Sequence, residues 1–143
     1  MAIFVDTKYR IKRNSDYEEQ MKYLIQEIKV FQSYSQVLML SAAIGYKNDA
    51  FVPIENVASD GVLMQFFEPR DLDYMDFLAY SREKEQKILS EQRKYSIFEA
   101  YANGGFAILV NSLEIDFIEK SKNNRIDILR KMYRLLLTNG FTL

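Results

Sequence analysis

Asp76 stands ahead of Glu85-Gln86-Lys87, and Asp71 and Asp73 lie just before it. An acid followed by Glu-x-Lys is a pattern of Mg²⁺-dependent nucleases. Two carboxylates hold the ion there, and the lysine stabilises developing negative charge. That chemistry is usually set on a strand. Here Glu85 and Lys87 fall inside a charge-dense stretch, residues 81–94, where opposite charges recur at three- and four-residue steps. Such spacing predicts an exposed helix, so a solvated helical face explains these residues more simply than a metal site. Asp71, Asp73 and Asp76 cluster at a predicted helix start, where capping and the helix dipole favour acids without any ion. No metal site is therefore assigned.

Other chemistries are excluded by composition. The chain has no cysteine and no histidine. Thiolate nucleophiles, zinc-thiolate sites, Ser-His-Asp and Cys-His catalysis are all ruled out. No glycine-rich loop precedes a Lys-Ser/Thr pair, and Gly104-Gly105 lacks the flanks for one, so an ordinary nucleotide-hydrolysis site is missing. No cofactor is implied. Binding is the better class.

Two kinds of binding residue stand out. The basic run Arg10, Lys12 and Arg13, with Lys47 further on, precedes or flanks predicted helices. Arg125, Arg130, Lys131 and Arg134 form a second basic group near the end. An arm followed by helix, turn and helix can dock on a phosphate backbone. No helix carries a convincing base-reading set, and a pI near 5.6 argues against a dedicated DNA-binding domain acting alone. The second kind is apolar. Val37, Leu38 and Leu40 sit on a helix that reads as hydrophobic nearly all round, and Phe66-Phe67 is an aromatic pair in an irregular segment. These suit a protein partner or self-assembly.

The elements that must position these residues can be read in outline. A chain of 143 residues, 48% hydrophobic and 14% aromatic, predicts one domain with a real core. Residues 1–13 predict an extended arm with weak strand alternation at Tyr9, Ile11 and Arg13. Asn14 or Ser15 can cap a first helix, with Glu18 completing a capping box from Ser15. Tyr17, Met21, Leu24, Ile25 and Ile28 form its apolar stripe. Ser33 or Ser35 can cap a second helix, which Gly45 is expected to stop. Residues 46–70 are irregular, with Pro53 and Gly61 as punctuation. Val62–Phe67 predicts a short strand or an extended run that Pro69 ends, and Asp71 can cap a third helix. The Gly104-Gly105 segment continues to about Ile118. Its two halves share one helical face through Phe98, Tyr101, Gly105, Phe106 and Leu109, so the glycines either end a helix or admit another backbone closely. Lys122-Asn123-Asn124 breaks the pattern. A last amphipathic helix uses Ile126, Leu129, Met132, Tyr133, Leu136 and Leu137, and ends at Asn139-Gly140. The expected fold is mainly α, a single compact bundle over 1–143 of about five or six helices. No signal peptide or membrane span is expected, which suggests a cytoplasmic location.

Two segments also carry a likeness. Ser41-Ala42-Ala43-Ile44-Gly45-Tyr46-Lys47-Asn48 with the later Pro53, and Ile97-Phe98-Glu99-Ala100-Tyr101-Ala102-Asn103-Gly104-Gly105, occur in this order. Together with the basic opening Arg10-Ile11-Lys12-Arg13, they resemble the small Dnd-system-associated proteins encoded beside bacterial DNA phosphorothioation genes. The resemblance implies an accessory component of a bacterial DNA-modification or anti-phage restriction system. It transfers no catalytic residue. The expected role is non-enzymatic binding to DNA backbone or to a larger defence-system protein. The alternatives are a protein-binding or self-assembling subunit without DNA contact, a possible homo-oligomer, and more remotely the nuclease above.

Overall fold

The computed structural model describes residues 3–141. The order is β1 (Arg10–Ile11), α1 (Glu18–Lys22), α2 (Tyr34–Lys47), β2 (Val62–Leu63), α3 (Pro69–Glu83), α4 (Arg93–Leu113) and α5 (Arg125–Thr138). β1 and β2 form a two-stranded antiparallel ribbon in which Arg10 faces Leu63 and Ile11 faces Val62. The fold is mainly α, as the periodicities predicted.

α4 is the axis of the bundle. Tyr95, Phe98, Tyr101, Ala102 and Phe106 are buried, and so are Glu99, Asn103 and both glycines, so almost every face is covered. The helix runs through Gly104 and Gly105 without ending. α2 crosses it there, and it also runs through Gly45, which does not stop it. A methyl group placed on Gly45 would lie 2.1 Å from the Tyr101 carbonyl oxygen, and one on Gly105 would lie 1.7 Å from the Ser41 carbonyl oxygen. Backbone meets backbone at this crossing, and only glycine permits it. Gly104 makes the same allowance for Ala50, whose carbonyl oxygen would be 2.2 Å from an added methyl.

Other boundaries differ from expectation for identifiable reasons. Asn14 rather than Ser15 opens the first helical turn, accepting the Asp16 N–H at 2.8 Å. α1 then passes into a π-helical turn at Tyr23–Glu27, and the chain reverses at Lys29 in a left-handed conformation. Ser33 caps α2 through the Gln36 N–H. Pro69 begins α3 instead of ending a strand. Glu68 is the cap, and Asp71 reaches back to the Glu68 N–H at 2.9 Å as its capping-box partner. Residues 81–94 are not one exposed helix. α3 ends at Lys84, at φ 61°, a 3₁₀ turn covers Gln86–Ser90, and Ile88 and Lys94 are buried. α4 ends at Leu113, because Glu114 also takes a left-handed conformation.

Candidate functional site

The acids that suggested a nuclease are dispersed. Asp71 is committed to capping α3. Asp76 is buried, with its Oδ1 2.8 Å from Lys94 Nζ. Lys94 is 1% exposed and also donates to the carbonyl oxygens of Phe4 and Leu89. The ammonium therefore ties the N-terminal arm and the 3₁₀ turn by hydrogen bonds and α3 by charge attraction to Asp76. Glu85 and Lys87 pair with each other at 3.3 Å on the surface. Asp76 and Glu85 thus have separate partners and share no ion site.

The Ile97–Gly105 signature is likewise structural. Glu99 Oε2 accepts the Lys12 N–H and the Tyr9 hydroxyl, each at 2.7 Å. Asn103 donates to the Val52 carbonyl oxygen at 2.9 Å and accepts from Asn14 at 3.0 Å. Both residues hold segments distant in sequence against α4. Asn48, in the first signature, ties the end of α2 to Asn139 at 2.6 Å. Burial raises the Glu99 carboxyl above its ordinary value of 4.5, outweighing the lowering by the Lys12 N–H and the Tyr9 hydroxyl. The folded state therefore keeps this proton longer than the unfolded state does. Its contribution is full below pH 4.5 and is lost as pH rises through the raised value. Glu99→Gln retains an acceptor oxygen and removes the charge. Denaturant melts should find it no less stable than the natural chain at neutral pH, with that relative gain shrinking toward pH 4.5. Glu99→Ala, which orphans both donors, should cost about 2 kcal/mol.

The basic candidates do not form a single free patch. Arg13 is 3% exposed, bonds Glu18 and the Asp60 carbonyl oxygen, and lies 4.0 Å over the Tyr34 ring. It is a core residue, which corrects its assignment to phosphate contact. Arg125 donates to the carbonyl oxygens of Ile28 and Lys29 and clasps α5 to the end of the first helix. Arg130 pairs with Asp127 at 3.3 Å, and Lys131 with Glu114 at 3.2 Å. Arg10, Lys12, Lys47 and Arg134 are exposed and make no ion pair among the described residues. They are spread over the β1 segment, the end of α2 and α5.

The apolar candidates divide in the same way. Val37 and Leu38 are 0% and 2% exposed, and Phe67 is 6% exposed, so packing within the chain consumes them. This corrects their placement at an interface. Leu40 and Phe66 are different. Together they line an open groove of about 830 Å³. α2 supplies one wall with Gln36, Met39, Leu40 and Ala43, the helical spacing of a single face. The 3₁₀ turn Met64–Phe66 supplies the other. It turns Met64 inward and leaves Phe66 56% exposed. Tyr74 of α3 continues this wall, and Phe31 and Phe141 also line the groove. Tyr74 stacks on Phe77, which is 50% exposed, so apolar surface extends along α3. A second depression of about 300 Å³, between Ile25, Tyr34 and Val62, shares Phe66 as its wall. Polar groups at the rim are already engaged. Glu68 pairs with Arg70 at 2.9 Å, and Gln36 accepts the Gln32 N–H. The arrangement can bury an apolar segment, and the carboxylates on its lining, Glu68 and Asp71, form the capping box of α3 while Ser33 caps α2. Met39, Ala43, Tyr74 and Phe141 escaped sequence reasoning. The available signal was the α2 face carrying Gln36 and Ala43 among larger apolar residues.

No helix among the described residues is long and apolar enough to cross a membrane. No curated protein and no solved structure matches the chain. A family model described as DNA sulphur modification system-associated protein 4 matches residues 10–134. The chain belongs to that family, which is associated with a DNA sulphur modification system.

Proposed function

We propose that this member of the family is a non-enzymatic accessory subunit, working in the cytoplasm, that docks an amphipathic helix of a larger protein of the DNA sulphur modification system. The groove between α2 and α3 carries the reading. Phe66 stands open to solvent across an apolar trough from the half-buried Leu40, while comparable side chains nearby are packed inside. A groove walled by one face of a helix fits an apolar stripe at i, i+3, i+4 and i+7 of a partner helix. A protein partner is favoured over DNA because strong backbone binding needs clustered free cations. Here Arg13 is buried, Arg125, Arg130 and Lys131 are engaged, and the remaining candidates are spread over separate elements.

Co-purification of the tagged chain with each protein of the modification system tests this. One of them should be captured. Leu40→Glu and Phe66→Glu should each weaken capture by roughly thirtyfold or more, as loss of an aromatic or aliphatic hot spot does. Far-UV circular dichroism should stay unchanged for both, and melting for Phe66→Glu, whose side chain is exposed, whereas Leu40 is half-buried against the core. DNA docking instead predicts capture of duplex that falls steeply with salt. It would ignore Leu40→Glu and collapse on replacing Arg10, Lys12, Lys47 and Arg134 with alanine.

A further inference from the structure

Ile126, Tyr133 and Leu137 are 60%, 48% and 61% exposed, an unusual amount of apolar surface for one short helix. They are not scattered. At 100° per residue, Ile126, Arg130, Tyr133 and Leu137 fall within an arc of about 60° on the outer face of α5. The opposite face sends Ile128 and Met132 into the core. The steps along the stripe are four, three and four residues, which read the same in both directions. Such spacing is self-complementary under a two-fold axis that sets two copies antiparallel. None of these residues lines the α2–α3 groove.

We propose that α5 is a homodimer contact, its occupant a second copy of this chain packed antiparallel across the midpoint of the stripe. Ile126 then meets the partner's Leu137. Arg130 lies over the partner's Tyr133, a cation–π pairing. Arg134 and Asp127 share one flank of the stripe, so Arg134 comes within reach of the partner's Asp127. Among the described residues Arg134 makes no ion pair, whereas the Asp127 carboxylate pairs with the nearby Arg130, at 3.3 Å. The other cations of α5 add little repulsion, because Arg125 is held by carbonyl oxygens and Lys131 by Glu114. One helix pair buries less than the roughly 1,200 Å² typical of stable complexes, so the association is weak and depends on concentration.

The absence of cysteine gives a clean test. Ile126→Cys and Leu137→Cys chains are prepared separately, mixed and mildly oxidised. Antiparallel packing places unlike positions together and like positions about 16 Å apart at 1.5 Å per residue. The mixture should give at least tenfold more cross-linked dimer than either chain alone. Adding Arg134→Asp to both chains should reduce the yield severalfold, and combining it with Asp127→Arg should restore it. Equal linking of each chain alone, no linking in the mixture, or yields unmoved by the charge reversal would overturn the proposal.

Discussion

Replacing Gly105 with alanine is expected to destabilise the protein by about 3 kcal/mol or more, although alanine is the better helix former. In an open helix the change would gain about 1 kcal/mol. Here the new methyl would lie 1.7 Å from the Ser41 carbonyl oxygen and 2.6 Å from the Gly45 nitrogen. Both are backbone atoms, so no rotamer change relieves the clash. α2 and α4 must separate, and the packing along their crossing is lost with them. Against a total stability of about 5–15 kcal/mol, this is a large fraction. Gly140→Ala is the control. That residue has φ 83° but nothing within 4 Å of an added methyl, so only backbone strain of about 1 kcal/mol applies. Urea unfolding should therefore find Gly105→Ala less stable than Gly140→Ala by about 2 kcal/mol or more, the order that contact with the neighbouring backbone predicts.

Lys94→Met should be comparably damaging, at about 3–5 kcal/mol. Methionine fills much of the same volume, so the cost lies in the charge. Without the ammonium, Asp76 is left as a buried carboxylate, and the carbonyl oxygens of Phe4 and Leu89 lose their donor. Pairing Lys94→Met with Asp76→Leu should recover part of the loss, because the stranded charge is removed. A double-mutant cycle by denaturant unfolding measures that recovery directly. A single variant as stable as the natural chain would show that the pair does not close the bundle.

Local pattern exposed some of this fold and concealed the rest. The Gly104-Gly105 face was readable as a close helix crossing because glycine on a regular apolar stripe has few other uses. α5 was readable from its period and its Asn139-Gly140 stop. Lys94 was not, because a lysine in a run of alternating charges looks solvated until distant Asp76 and Phe4 are seen to close over it. Arg13 was missed for the same reason, its partners being Glu18, Tyr34 and the backbone at Asp60. On α2, an almost uniformly apolar helix, the sequence does not say which face the bundle consumes. Val37 and Leu38 face α4's side and Leu40 does not, a division set by where Gly45 and Gly105 meet. Phe66 and Phe67 are neighbours with opposite fates because a 3₁₀ turn ends between them.

We propose that the signature residues build the scaffold and that the α2–α3 groove binds the partner. Hydrogen–deuterium exchange of the chain, with and without its co-purified partner, tests it most directly. Slowed exchange should centre on residues 36–43 and 64–74, and Leu40→Glu should erase it. Slowed exchange confined to β1 and the exposed basic positions, with residues 64–74 unchanged, would place binding on the basic surface and overturn the groove as the docking site.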